Sequence, residues 1–450
     1  MKTNLKKSVI YQIYLRTFTS EGTLNAATRL IPHLSELGID IIYLSALNTE
    51  DDSFENQSPR QIASGMNNPK NPYRIKDYFS VDEEFGTMED LKEFVKTAHM
   101  YGLKVLIDLV YLHCSKDAVF IKENPDFVVR DENNNIKIGE TWPFARLNYD
   151  NPKLREYLWG NMKFYVKDIG ADGFRCDAGD LIPYDFWSEG IKRIKKINPD
   201  IIMLNEGQNP EFLDVFDINY NFNFMNTVHA AFANKINSGK DDKKISLASL
   251  RGKYTAANIK DEIINYHQNV PKGRFFLANS ENHDTVSDME DERLEIFLGS
   301  DGIEAIFALL FTLDCVPMIY NGCEVADNGL KCMFWNRFCP GSMSVQWQNV
   351  LTPKGKHRLE LIKELIRLHR YNQALSDGSL SWISHDCPDS VLAFKREIDN
   401  QSVTIVINIS AKIQNVTLDQ NIGDSIILSK NVSSSENKLT MLPYGFSITQ

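Results

Sequence analysis

The sequence predicts a (β/α)8 TIM barrel with a short subdomain inserted after its third strand, followed by a C-terminal antiparallel β-sandwich domain. Three features of the 450 residues predict this. Short apolar runs alternate with amphipathic stretches from residue 8 to residue 371, and such alternation implies parallel strands joined by right-handed crossovers, eight of which close a barrel. Residues 113–150 interrupt the rhythm with charge, the run Asn133–Asn135 and little periodicity. From residue 376 the helical texture stops and short β-rich runs follow one another. The expected division is therefore 1–112 and 151–372 for the barrel, 113–150 for the inserted subdomain and 376–450 for the β-sandwich domain.

The elements follow in order. SVIYQIYL, 8–15, reads as the first strand, and a helical pattern through Leu30, Leu34 and Leu37 stops at Gly38. IDIIYLSAL, 39–47, is a buried strand, and the helix over 87–101 opens with Thr87 three residues before Asp90, a capping box. LKVLIDLVYLH, 103–113, is the third strand. After the excursion come helix 151–169, strand 172–177, helix 184–197, strand 201–206 and a further strand near 215–220. Helical material to about 268, strand 274–280, helix 291–313, strand 316–321 and helix 354–371 complete the barrel. A doubly wound open sheet is the rival topology, but no GxGxxG follows the first strand.

Composition narrows the function. Hydrophobic residues make up 43% and charged residues 24%, which is ordinary globular usage, and a chain this long can bury a large core without disulfide staples. The formal net charge of −11 argues against nucleic acid or an anionic membrane as partner, since both call for basic patches. A neutral ligand such as a sugar suits that surface. Seven cysteines, none in a CxxC pair, read as thiols in a reducing compartment rather than as a metal or redox motif. No run is long and apolar enough to span a membrane, and the first residues show neither a long apolar run nor a small-residue cleavage site. The expected location is cytoplasmic.

Catalytic groups of a barrel lie at the C-terminal ends of its strands. The third strand ends in Asp108 and His113, the fourth in GFRCDAGD with Arg175 and Asp177, the fifth in LNEG with Glu206, and the seventh in ENHD with His283 and Asp284. Strand alternation puts Arg175 and Asp177 on one face and turns Cys176 away. Any one of these acids alone reads as a solvated or ion-paired carboxylate. Three at strand ends read as the set that glycoside hydrolysis needs, one ionised to attack and one holding a proton for the leaving oxygen. Close packing of the acids raises one pKa, and Arg175 beside Asp177 lowers the other.

These residues carry a resemblance. LIDLVYLH, DGFRCDAGD, LNEG and ENHD, in this order and each at a strand end, resemble the α-amylase family of retaining glycoside hydrolases, glycoside hydrolase family 13, over residues 9 to about 371. The stretch from Asn71 to Val110 is similar to that family's second and third barrel units. The resemblance implies that Asp177 is the nucleophile, Glu206 the general acid/base and Asp284 the acid that stabilises the transition state. It implies that Arg175 orients the nucleophile, that His113 and His283 bind the sugar at the cleaved bond, that Tyr73 is the platform under it, and that Asp108 is structural.

The pattern also departs from the family. Leu112 stands where most members carry the Asn that helps bind calcium, the Lys-His pair after the nucleophile is missing, and the first loop has no DxDxDG motif, so no tightly bound calcium and no other metal or cofactor is expected. Arg74 stands where many exo-acting glucosidases carry Asp, and FARLN, 144–148, matches neither common subgroup signature. The implied activity is retaining hydrolysis of α-linked oligo- or polysaccharides. A transglycosylase or isomerase using the same covalent intermediate, and a non-catalytic sugar-binding or scaffold barrel, stand beside it. Linkage preference, endo or exo action and oligomeric state stay open, because they are set by the loops. Trp142, Trp335 and Trp347 fall in predicted loops, where sugar contact and plain packing are both open, and the charge run 240–244 reads as a solvated loop.

Overall fold

The computed structural model describes residues 4–139, 142–233, 254–288, 293–423 and 425–450, so the charge run 240–244 lies outside the described residues. Eight parallel strands close a barrel: β1 (Ile10–Ile13), β2 (Ile41–Leu44), β3 (Lys104–Leu109), β4 (Gly173–Cys176), β5 (Ile202–Asn205), β6 (Ile218–Tyr220), β7 (Phe275–Asn279) and β8 (Val316–Tyr320). Each strand pairs with its neighbours in the chain, and β8 returns to β1. The strands are short and almost wholly buried, as expected when helices cover a parallel sheet.

The helices α1 (Ile31–Leu37), α2 (Met88–Met100), α3 (Pro152–Phe164), α4 (Tyr184–Lys195), α5 (Phe222–Phe232), α6 (Ala256–Asn269), α7 (Gly299–Thr312) and α8 (Pro353–Tyr371) supply the outer layer. Thr87 caps α2 as expected: its Oγ1 accepts from the Asp90 backbone N–H, and the Asp90 carboxylate accepts from the Thr87 N–H. Two helices differ from their expected form. The helix over 151–169 stays α-helical only to Phe164 and then widens into a π turn over Tyr165–Ile169. The segment expected as one helix over 291–313 is broken, because Gly299 takes φ +71° between Leu294–Phe297 and α7. The inserted segment folds on a two-residue ladder, His113–Cys114 against Ala145–Arg146, with an added bridge from Val128 to Leu147.

The C-terminal strands β9 (Ser379–Trp382), β10 (Val391–Ile398), β11 (Gln401–Asn408), β12 (Gln414–Thr417), β13 (Ile426–Ser435) and β14 (Lys438–Thr449) form an antiparallel sheet. The long strand β14 pairs with β11, β12 and β13 along its length, and β13 breaks register twice against it. Ile383, Val391, Val406, Val416, Leu439 and Met441 form part of the buried apolar cluster of this domain.

The described chain packs as two compact units, Ile10–Tyr220 with Lys331–Val345, and Asn4–Val9 with Asn221–Leu330 and Gln346–Gln450. The first contains a buried charge cluster. Arg16 Nη2 lies 2.9 Å from both carboxylate oxygens of Glu50 and 3.1 Å from Glu84, while Lys70 reaches Asp82 at 2.7 Å. The Asp82 carboxylate accepts the Glu50 backbone N–H at 3.0 Å. Burial pushes Glu50 up to about 8, against the pull of Arg16 and with the push of Asp82 and Glu84. The folded protein therefore holds a proton there that the unfolded chain releases above the ordinary carboxylate pKa, so stability falls as pH rises toward 8. Glu50→Gln, a neutral mimic of the protonated side chain, is expected to flatten that fall. Thermal unfolding of parent and variant between pH 5 and 8.5 checks it, and parallel curves would refute it.

The second unit is held by its own buried ion pairs. Arg293 pairs with Glu281 at 2.7 Å and Asp327 at 3.2 Å, and Arg358 pairs with Glu295 at 2.8 Å and Glu304 at 3.1 Å. Lys430 of β13 joins Glu304 and Asp301 on α7 and so ties the sheet to that helix. No helix among the described residues is long and apolar enough to cross a membrane.

Candidate active site

Strand register builds the first half of the site. Asp108 on β3 lies directly beside Arg175 on β4, and both side chains are fully buried. Arg175 Nη1 donates to Asp108 Oδ1 at 2.8 Å and Oδ2 at 3.1 Å, and to Asp177 Oδ1 at 2.8 Å. Its Nη2 lies 2.7 Å from Glu206 Oε1. One guanidinium thus bridges the carboxylates of Asp177 and Glu206 on adjacent nitrogens. The rings of Tyr43, Tyr73 and Tyr220 face the same cation at 5.7, 6.0 and 5.7 Å. Tyr43 and Tyr73 both donate their hydroxyls to Asp108 Oδ2, at 2.8 and 3.2 Å. Asp108 is therefore a buried anchor for Arg175 and Tyr73.

The β4 and β5 ends carry the pair. Alternation holds as expected: Arg175 and Asp177 meet, while Cys176 is fully buried and its thiol is pushed well up by burial, which makes it an inert packing residue. Glu206 Oε2 accepts the Ala178 backbone N–H at 2.8 Å. Ala178 sits in the left-handed region, φ 45° and ψ 40°, a strained conformation for alanine that aims this N–H at Glu206. Both carboxylates keep a small exposed fraction, 11% for Asp177 and 15% for Glu206, so a substrate can reach them.

The protonation balance differs from the expectation that Arg175 holds Asp177 low. Burial, followed by the charge of Glu206, raises the Asp177 carboxyl well above its ordinary range, and Arg175 opposes this without reversing it. One arginine between Asp108, Asp177 and Glu206 cannot neutralise three buried carboxylates. The Asp177–Glu206 pair takes up a proton together, as closely coupled acids do.

His113 Nε2 bonds the Tyr73 carbonyl at 3.0 Å, and its ring lies 4.6 Å from Phe144. Burial pushes its pKa down to about 4, so it is a neutral imidazole at working pH. Arg74 points away from this group. Its guanidinium bonds the carbonyls of Asp51, Ser53, Asn56 and Pro69 and so staples the loop that precedes Tyr73. Trp142 lies 5.8 Å from Phe144, with the Arg60 guanidinium over its ring, whereas Trp335 is buried.

Asp108, Tyr73, His113, Arg175, Asp177 and Glu206 all belong to the first compact unit, and His283 and Asp284 belong to the second. There, Asn282 Oδ1 accepts the Asp284 and Thr285 backbone N–H groups at 3.0 and 2.9 Å and starts the helix His283–Asp288. His283 Nε2 lies 3.4 Å from Asp284 Oδ2. His283 is buried, while 36% of the Asp284 side chain is exposed. Sequence reading missed Tyr43, Tyr220 and the Ala178 N–H. The two tyrosines lie inside barrel strands and read there as core.

Known proteins share this sequence pattern and this fold. The family described as α-amylase, catalytic domain, matches residues 6–135 and 141–359. A cyclomaltodextrinase from a Bacillus species is 25% identical over 462 residues, covering 90% of this chain and 73% of that protein. A maltogenic α-amylase from Bacillus acidopullulyticus is 26% identical over 419 residues, covering 86% of this chain and 62% of that protein. The crystal structure of a noncanonic maltogenic α-amylase from Thermotoga neapolitana superposes with a TM-score of 0.78 at 25% identity, covering 100% of both chains.

Proposed function

Because the chain belongs to the α-amylase family and is a glycoside hydrolase, we propose that it cleaves α-glucosidic bonds of malto-oligosaccharides or α-glucans by double displacement with retention. The observation that carries this reading is the bridged carboxylate pair, Asp177 and Glu206 on one buried guanidinium.

Asp177 attacks the anomeric carbon as Glu206 delivers a proton to the leaving oxygen, so the glycosidic bond breaks while an ester bond forms. Glu206, now ionised, takes a proton from water, and the resulting hydroxide displaces Asp177 from the sugar. The proton shared by the pair is the one the first step consumes. Arg175 keeps the two carboxylates in place throughout. Tyr73 offers a ring to the apolar face of the sugar, and neutral His113 offers hydrogen bonds without adding charge. By the family pattern, Asp284 and His283 bind the hydroxyls of the same sugar.

The names of the relatives, cyclomaltodextrinase and maltogenic α-amylase, support maltose-built substrates. Leu112, which has no oxygen for a hard cation, supports turnover without bound calcium. Seven free thiols support a reducing, cytoplasmic setting.

Incubation with maltotriose, maltoheptaose, a cyclic maltodextrin, pullulan and isomaltose, with and without chelator, tests the reading. Release of α-configured shorter sugars, unchanged by chelator, is expected. Sugars longer than the substrate would mark transfer to a sugar acceptor in place of water. No product from any of these substrates would overturn the proposal, and products that vanish with chelator would overturn its metal-free part.

A further inference from the structure

We propose that Asp180 is a positioning residue that sets where Glu206 stands relative to Asp177, an inference that rests on the hydrolytic reading above. The β4 and β5 ends interlock. The Glu206 N–H donates to the Cys176 carbonyl at 3.0 Å, the Gly179 N–H to the Glu206 carbonyl at 3.2 Å, and the Ala178 N–H to the Glu206 carboxylate. Asp180 closes the lock from beyond Glu206. Its Oδ1 accepts the Asn205 side-chain amide at 2.8 Å, and its Oδ2 accepts the backbone N–H groups of Gln208 and Asn209 at 2.8 and 2.9 Å. Asn205 also donates to Asn219 Oδ1 at 3.1 Å, and Asn219 donates to the Asn209 carbonyl at 2.9 Å, which completes a ring of amides around the turn.

Glu206 lies inside this ring, between Asn205 and Gly207. The approach is close enough to exclude side chains at two positions. A Cβ on Gly207 would fall 2.1 Å from Asp180 Oδ1, and a Cβ on Gly179 would fall 2.0 Å from Asn205 Oδ1. Only an ionised carboxylate suits the place, because all three partners are donors and both oxygens must accept. These partners belong to the turn that follows β5, so Asp180 acts through the backbone that carries Glu206.

The test uses Asp180→Asn, whose amide NH2 must face a donor, and compares two substrates on the full-length protein. Maltotriose has a poor leaving group and needs the proton of Glu206. A nitrophenyl α-maltoside needs little help. If Asp180 positions Glu206, kcat/KM on maltotriose falls on the order of 10²-fold, the cost of about 1 Å of misplacement. On the nitrophenyl substrate it falls less than about tenfold, since general acid assistance matters little there. The ratio of the two does not depend on how much enzyme is folded. Gly207→Ala, which pushes the same clamp from its other side, should show the same bias. Equal slowing of both substrates, or no slowing, would overturn the inference. Failure of the parent on both substrates would overturn the hydrolytic reading instead.

Discussion

Asp177→Asn is expected to abolish turnover without costing stability. The amide keeps the shape of the side chain and an oxygen for Arg175 Nη1, which lies 2.8 Å away in the parent. It cannot form the ester with the anomeric carbon. Loss of a covalent nucleophile costs on the order of 10⁴-fold or more in kcat. The fold should respond in the opposite direction. In the parent, burial and the charge of Glu206 make the ionised form of Asp177 unfavourable, so stability declines as pH rises above the ordinary carboxylate range. A neutral side chain removes that dependence, and the variant should melt at or above the parent temperature near pH 8. This is the pattern of an active site that stores unfavourable electrostatics for function. Product chromatography and thermal unfolding between pH 5 and 8.5 check both halves. Turnover within about a hundredfold of the parent would remove Asp177 from the nucleophile role.

How far the sequence reaches into this site depends on the range of each contact. Arg175 and Asp177 are two apart on one strand, so alternation alone places them together, and the structure has them 2.8 Å apart. The barrel is legible for a similar reason, since each strand and helix declares itself by local periodicity. Contacts across strands are not local. Asp108 meets Arg175 because β3 and β4 pair in one particular register, and a shift of one residue would turn the acid to the other face. Tyr43 and Tyr220 read as core in sequence, although their hydroxyl and ring atoms face the charged centre. Asp180 stands out in sequence only as part of the departure after the nucleophile, and its role depends on the turn after β5, which no spacing rule connects to it. The broken helix before α7 is hidden for a different reason. A single glycine inside an apolar helical pattern is usually tolerated, and Gly299 breaks this one by taking a positive φ.

The electrostatics are the least legible part. From sequence, an arginine two residues before an acid argues for a lowered pKa. In the barrel the same arginine also serves Asp108 and Glu206, with side-chain burial complete at Arg175 and Asp108. The sign at Asp177 is decided by that sharing, and it becomes visible only when three strands are assembled. Such sharing suits the chemistry, because a pair that holds one proton between two carboxyls contains both an acid and a nucleophile.

Glu206→Gln should separate those two roles. The glutamine amide can still accept the Ala178 N–H, which lies 2.8 Å from Oε2 in the parent, so binding of sugar and the shape of the site survive. It cannot carry the proton. Hydrolysis of maltotriose should fall by roughly 10²–10⁴-fold, the usual worth of general acid catalysis, with KM little changed. A nitrophenyl α-maltoside should still react with Asp177 in the first step, because its leaving group needs no proton. The second step then slows, since water has lost its base, so a burst of nitrophenol followed by a slow phase is expected. The size of that burst counts the glycosylated enzyme. If the variant hydrolysed maltotriose at the parent rate, Glu206 would not be the acid. If it gave neither burst nor slow phase while still binding maltotriose, the carboxylate would be needed before any proton is transferred, as a structural partner of Arg175 Nη2. The Asp180 variants should then fall between parent and Glu206→Gln on the same two substrates, a graded version of one defect.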